Sequence, residues 1–265
     1  MPPVKGQSEE GIQSVLLAFR LLEYLVAAGR PVGVTALAQA LGTTKSRIFR
    51  HLQTLQSSDY IRQERETERY MIGPALVRMG RTVSQNLDIL SLAMPVLREL
   101  RDELGHYTVI SEMEPDGVRV LAAVSGRSAI EIGVKAGSLL PLHASAQGKV
   151  GLAFSDPAVM AHLERGRFDL LTPHTIVNPV LLEQEIARIR DRGWATAPNE
   201  ILIGLNTLAA PIFGADGHLA AIIGIVDSIQ FIDGVPSAEQ IRRTLGAAQQ
   251  ISELLGHLNP QIGQA

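Results

Sequence analysis

Between Gln13 and Ala28 the apolar residues Val15, Phe19, Leu22 and Val26 recur at spacings of 4, 3 and 4, which predicts a helix with one buried stripe. Gly29, Arg30 and Pro31 end it. A short helix over 36–41 follows, with Thr35 as its cap, and Gly42 gives the backbone freedom for a tight turn. A third helix starts at Thr43 or Thr44 and runs to about Ser57, with Ile48, Leu52 and Leu55 on its inner side. Residues 60–63 and 69–72 read as extended segments joined by 64–68, the outline of a β-hairpin wing.

From 74 to about 90 the pattern is helical but weakly amphipathic, as expected of a connector, and the domain boundary is placed there. Residues 95–104 predict a helix ending at Gly105. Two hairpins follow, 108–113 with 119–124 and 207–213 with 219–226, around turns rich in Gly, Pro and Asp. The second pair is so apolar that its strands must be central in a sheet covered on both faces. Helices over 181–192 and 238–258 can do the covering. The expectation is an α+β chain: a winged helix-turn-helix at 10–73, a linker helix at 74–90 and a second domain at 91–258 with an antiparallel sheet flanked by helices.

Composition narrows the function classes. With 265 residues, 46% hydrophobic and 19% charged, the chain has material for two domains and is not of disordered composition. No run of 18 apolar residues supports a membrane span, and the first residues lack a secretory stretch. The absence of cysteine excludes disulfides and thiolate metal sites and fits a cytoplasmic protein. A net charge of −3 argues against nucleic acid until its distribution is considered. Residues 1–81 hold 11 Lys and Arg against 7 Asp and Glu, so a basic head sits on an acidic body.

The third helix explains the basic head. Lys45, Ser46, Arg47, Arg50, His51 and Thr54 point away from Ile48, Leu52 and Leu55, so one face packs and the other offers long donors. Arg47 and Arg50 suit bidentate contacts to guanine edges, while Lys45, Ser46 and the helix N-terminus suit phosphate. His51 either contacts DNA or finishes the helix surface. Thr35, Thr44 and the wing residues Arg65 and Arg69 complete the candidate DNA-contacting set.

The segments IQSVLLAFRLLEYL, TALAQALGTTKSRIFRHLQTLQSSDYI, RYMIGPAL, PLHASAQGKVGLAF, LTPHTI and RIRDRGWA, in this order, resemble the IclR family. The resemblance implies a GAF- or PAS-like C-terminal domain that binds a small organic effector. It also implies a dimer or tetramer on a double-stranded DNA operator, most often a repressor relieved by ligand. On this view the effector prefers one arrangement of the protein, and the linker helix passes that preference to the reading helices. The loop holding His143, Ala144, Ser145, Ala146 and Gly148 resembles one wall of the family's effector cavity. The bland alternative is that Ala146 and Gly148 only permit close packing. Asn199, Glu200, Asn206 and Thr207 resemble a second wall, with Ala197 in place of an acid and Thr207 in place of a cysteine. Ile223 and Ile225 are aligned with a pair of serines in other members, and Asp227 ends that strand. Such apolar replacements point away from a short keto-acid and toward an aromatic acid.

Four other readings are weaker. Gly148-Lys149 is not a phosphate loop, because His143 and Val150 occupy the positions that need glycine and Ser or Thr. The histidines His51, His106, His143, His162, His174, His218 and His257 show no metal-ligand spacing, so neither metal nor cofactor is expected. An enzyme would need a nucleophile and base, for which Ser145 and Lys149 are the one local pair. A protein-binding winged helix is the third class, opposed by the cationic face.

Overall fold

The computed structural model describes residues 12–86, 88–128, 133–156 and 168–257. Its contacts divide the chain into two compact units, Met1–Leu87 and Asp88–Ala265. In the first, α1 (Gln13–Ala28) ends where Gly29 turns left-handed at φ 60°. Its buried side is Leu17, Leu21 and Leu25, whereas the expected stripe is largely exposed: Val15, Phe19 and Val26 face outward and Leu22 is half-buried. Both stripes have helical spacing, so periodicity predicts the helix without choosing its inner face; the partners in the fold choose it.

The second helix, α2 (Val34–Ala40), begins two residues earlier than expected, with Gly33 as its uncapped start. Thr35 therefore lies inside the first turn and is not the cap. Gly42, at φ +60°, makes the turn into α3 (Lys45–Ser57). Strands β1 (Ile61–Gln63) and β2 (Tyr70–Ile72) pair antiparallel as the wing, Ile61 opposite Ile72. Val32 adds a third piece: its N–H donates to the Tyr70 carbonyl at 2.8 Å and its carbonyl accepts from Tyr70 at 2.9 Å, a pairing that three residues of sequence do not advertise. Leu21, Leu25, Leu37, Ile48, Leu52, Ile61 and Tyr70 form the core. The unit closes with α4 (Pro74–Asn86), along which Val77, Met79 and Val83 are exposed.

The second unit opens with α5 (Ile89–Leu104), capped by the Asp88 carboxylate, which accepts from the N–H groups of Leu90 and Ser91. This helix starts six residues before the expected one, so Ile89 and Leu90 belong to it rather than to the linker helix. Pro95 sits inside it, in the second turn, where it leaves the Ser91 carbonyl without its intrahelical donor. Strands β3 (Tyr107–Glu114) and β4 (Gly117–Val124) form the first hairpin. After the short β5 (Leu139–Leu140) come α6 (Ala146–Phe154) and α7 (Pro179–Arg192). The short β6 (Ala195–Thr196) precedes the apolar hairpin β7 (Leu205–Phe213) and β8 (Leu219–Ser228). The last helix, α8 (Ala238–Leu254), carries a capping box between Ser237 and Gln240 and stops short of the expected residue 258, which lies outside the described residues.

The sheet runs β5-β4-β3-β8-β7-β6, antiparallel throughout, with the apolar hairpin beside β3 at its centre. Alternation divides its side chains between two cores. Ile110, Leu208, Ala210, Ile223 and Ile225 pack against α5 and α8, while Val118, Val120, Ala209 and Ile222 pack with α6 and α7. The double cover explains the continuous apolar runs, and burial of these strands is the main driving force of this unit.

Two glycines test this packing in opposite directions. A Cβ on Gly148 would lie 2.3 Å from the Leu142 carbonyl oxygen, whereas one on Gly246, inside α8, would meet nothing within 4 Å. Urea denaturation should show Gly148→Ala less stable by about 1–3 kcal/mol or more. Gly246→Ala should gain about 0.5–1 kcal/mol from its better helix propensity.

Candidate functional site

The α3 helix starts where it does because the Thr44 side chain accepts the Arg47 N–H at 3.3 Å. Ile48 and Leu52 are fully buried. At about 100° per residue, Ser46, Arg50 and Ser57 fall on the opposite side, flanked by Gln53 on one edge and by Arg47 and Thr54 on the other. Lys45, Ser46, Arg50 and Gln53 are exposed and Arg47 is half-buried. The first turn carries no acid, so Lys45 and Arg47 sit at the positive end of the helix dipole. That placement costs a few tenths of a kcal/mol each and is offset when an anion docks there.

His51 departs from the expected face. It is half-buried in a groove of about 560 Å³ lined by Ser14, Val15, Phe19 and Leu22 of α1 together with Tyr60 and Met79. Burial, then the charges of Arg47 and Arg50, hold its pKa below the ordinary histidine value, so it is neutral at pH 7. Phe49, 45% exposed, and Gln53 stand on the outer surface instead and are absent from the expected set. A helical wheel centred opposite Ile48 and Leu52 would have found Gln53, but it leaves Phe49 and His51 at equal angles and does not choose between them. Thr35 is exposed on α2, and Arg65 and Arg69 are exposed on the wing, interleaved with Glu64, Glu66 and Glu68. The wing tip is tied by the Glu64 N–H to the Arg69 carbonyl at 2.8 Å and the Gln63 amide to the Glu68 carbonyl at 2.9 Å.

In the second unit the expected effector residues do not share one site. The loop 142–149 leads into α6, on the side of the sheet where Val109 is level with Gly224 and Ala209, and Tyr107 with Val226 and Thr207. Ile223 and Ile225 point to the other side, into the core with α5 and α8. Asp227 follows them: its carboxylate meets His106 Nδ1 at 2.8 Å, and His106 Nε2 accepts from the Gln240 amide of α8 at 2.9 Å. The physical reason is the two-residue period of a strand, which puts Ile223, Ile225 and Asp227 together on one side. On the α6 side, β8 presents Ile222, Gly224 and Val226. Asn206 is also elsewhere, its amide donating to the carbonyls of Ile232 and Asp233. Thr207 stays on the α6 side, with its methyl 3.5 Å from where a Cβ on Gly224 would be.

Around the loop most polar groups are already engaged. Ser145 caps α6, accepting from Gly148 N–H at 2.8 Å and donating to the Pro141 carbonyl at 2.7 Å. His143 stacks on Phe168 and bonds the Asp169 carbonyl at 3.0 Å. Ala144 and Ala146 are fully buried, and Gly148 is needed for the close approach of Leu142, so for this glycine the packing role is established. His162 lies outside the described residues. Among the described residues no cluster of His, Asp and Glu could hold a metal ion, and no helix is long and apolar enough to cross a membrane.

Lys149 and Glu200 form an ion pair that sequence reasoning missed as such. Lys149 is 1% and Glu200 5% exposed. Burial pushes the lysine pKa down and the carboxyl pKa up, and their mutual attraction opposes both shifts. Thr172 and Thr175 extend the anchor by donating to the carbonyls of Asn199 and Glu200 at 2.6 and 2.7 Å. Asn199, left-handed at φ 60°, accepts from Gly204 N–H at 2.7 Å. With its Nζ on Glu200, Lys149 is not a base for Ser145, and the one local nucleophile-base pair is dissolved. Lys149→Met should lower stability by about 3–5 kcal/mol in urea denaturation, because Glu200 is left buried without its cation. Adding Glu200→Leu should recover most of that loss.

Comparison with known proteins fits this geometry. The IclR helix-turn-helix domain matches residues 14–65, and the C-terminal domain of bacterial IclR transcriptional regulators matches residues 81–253. The Transcriptional repressor IclR of Escherichia coli K12 is 30% identical over 258 residues, 96% of this chain and 92% of its own. The crystal structure of Pseudomonas aeruginosa HmgR superposes with a TM-score of 0.79 at 25% identity, covering 93% of this chain and 99% of HmgR. An IclR homolog from Microbacterium hydrocarbonoxydans, solved in complex with 4-hydroxybenzoate, shares the fold at TM-score 0.59 and 19% identity, with coverage of 92% and 99%. The chain belongs to the IclR family of bacterial transcriptional regulators.

Proposed function

We propose that this regulator is a homo-oligomeric cytoplasmic repressor that reads its operator with α3 and releases it when a small aromatic acid binds the second unit. The observation that carries the reading is the outer side of α3, where Lys45, Ser46, Arg47 and Arg50 surround a helix anchored by Ile48 and Leu52. In this reading Arg47 and Arg50 reach guanine edges, Phe49 meets a thymine methyl, Gln53 meets adenine, and Lys45 with the Thr44-capped N-terminus holds phosphate. Arg65 and Arg69 add wing contacts to the backbone, and Thr35 adds one from α2. His51 is left out, since it faces α1.

The outward stripe of α1 supports self-association. Val15, Phe19 and Val26 are 47–59% exposed, and Val77, Met79 and Val83 on α4 add to the apolar surface of the same unit. A second copy that covers this surface would space two reading helices on a two-fold operator. The support for an aromatic acid no longer includes Ile223 and Ile225. It rests on the apolar row Val109, Ile222, Val226 and Leu142 on the α6 side, and on the 4-hydroxybenzoate carried by one relative of the same fold. Residues 74–90 would couple the units: a ligand that prefers one arrangement of the oligomer shifts operator affinity by its difference in affinity for the two.

The test uses DNA fragments enriched by the wild-type protein. Arg47→Ala combined with Arg50→Ala should weaken binding at least a hundredfold in gel shifts, with an unchanged melting temperature, since neither side chain is in the core. Undiminished binding by the folded double variant would contradict the reading.

A further inference from the structure

Three buried side chains near α6 have a hydrogen-bonding atom with no partner: Ser111, Gln147 and Glu200, the last through Oε2 while its Oε1 holds Lys149. Ser111 is 0% and Gln147 1% exposed, and neither Ser111 Oγ nor Gln147 Nε2 has a partner within hydrogen-bond distance. Both lie on the same side of the sheet. Ser111 is level with Ile222 and two residues before Met113, whose sulfur packs on Gly151 of α6. Gln147 is one helical turn before Gly151 and so shares its sheet-facing stripe. Phe154 packs edge-on against Phe213 at the other end of the sheet, which sets the direction of α6 and brings its first turn over the rows of Val109 and Ser111. These rows also hold Gly224, where a Cβ would meet the Leu208 carbonyl oxygen at 3.2 Å and the Thr207 and Val109 side chains at 3.5 Å.

Native proteins pair nearly all buried polar atoms, because an unpaired one costs about 1–3 kcal/mol. A glutamine and a serine kept unpaired beside valines and isoleucines therefore point to a partner that is not part of the chain. Gln147 Nε2 can only donate, and the serine hydroxyl can donate with it. Their common partner is an acceptor-bearing group, for which a carboxylate, with two oxygens and a full charge, is the best match.

We propose that Gln147 and Ser111 are the side chains that select the effector, donating to the carboxylate of a small acid whose apolar body lies along Val109, Gly224 and Val226. The proposal rests on the effector reading above and adds the residues and the headgroup. It separates anchoring from folding: removing an unpaired buried polar group relieves the apo protein, whereas removing a structural hydrogen bond weakens it.

The experiment measures melting temperature and operator binding for full-length wild type, Ser111→Ala, Gln147→Leu and the near-isosteric Gln147→Met. The probes are benzoate, 4-hydroxybenzoate, phenylacetate, pyruvate and glyoxylate, with benzamide as the uncharged control. Wild type should be stabilised by at least one aromatic acid and less by benzamide. Without ligand each folded variant should melt at or above the wild-type temperature and bind operator within twofold of it. Each should need at least tenfold more acid for the same shift. Full acid sensitivity in Ser111→Ala and in whichever Gln147 variant folds would overturn the proposal, showing that water satisfies these atoms, and would leave the effector reading standing. A lower apo melting temperature in Ser111→Ala and Gln147→Met would overturn it by making the groups structural. A wild type that binds operator but responds to none of the acids would overturn the acid-effector reading, and the proposal with it.

Discussion

The burial of Leu21, Ile48 and Leu52 against one another is the contact on which the DNA-reading unit depends. A 13-residue helix in isolation is marginal in water, so α3 holds its shape by what its aliphatic side packs against. Once Ile48 and Leu52 are buried, the period of 3.6 residues leaves Ser46 and Arg50 no place but the outside. The same constraint puts Gln53 outside, while the packing of α1 over one flank separates half-buried His51 from exposed Phe49. Function here follows from a packing choice made on the opposite side of the helix.

The second unit uses the same logic with a period of two. Because β3, β7 and β8 are covered on both faces, each residue is committed to one of two cores, and no side chain serves both. One face, with α5 and α8, is closed by ordinary apolar packing and by the His106, Asp227 and Gln240 chain of hydrogen bonds. The other carries the loop into α6, the buried Lys149–Glu200 pair and the unpaired atoms of Ser111 and Gln147. The ion pair is an expensive way to hold a loop, since desolvation offsets much of the attraction. It nevertheless fixes the segment after Asn199 relative to α6.

The sequence made legible what local periodicity controls. The bounds of α1, the Gly42 turn, the wing and both long hairpins follow from spacing and turn residues, and the family from separated motifs in order. What it left open was decided by partners far along the chain. Two stripes of α1 were equally helical, and partners later in the chain, among them Leu37, Ile48, Leu52 and Tyr70, select the one with Leu17, Leu21 and Leu25. Pro95 looked like a helix start because proline favours the first turn, yet Asp88 supplies the cap seven residues earlier. Ile223 and Ile225 turn to the core with α5 and α8, away from the loop into α6, because a strand alternates its side chains and the sequence does not say which face a given residue takes. Ser111 and Gln147 carried no signal at all, because an unpaired polar atom is a property of the packed molecule.

The central claim, that the cationic side of α3 docks on phosphate and base edges, is tested most directly by the salt dependence of binding to the enriched fragments. Because Lys45, Arg47, Arg50 and the wing arginines would displace condensed counterions, log K should fall linearly with log salt concentration, with a slope of roughly −0.9 for each phosphate neutralised. For an oligomer with several such contacts per copy the affinity should drop by orders of magnitude between about 50 and 200 mM salt. Binding that is insensitive to salt over that range would contradict the account.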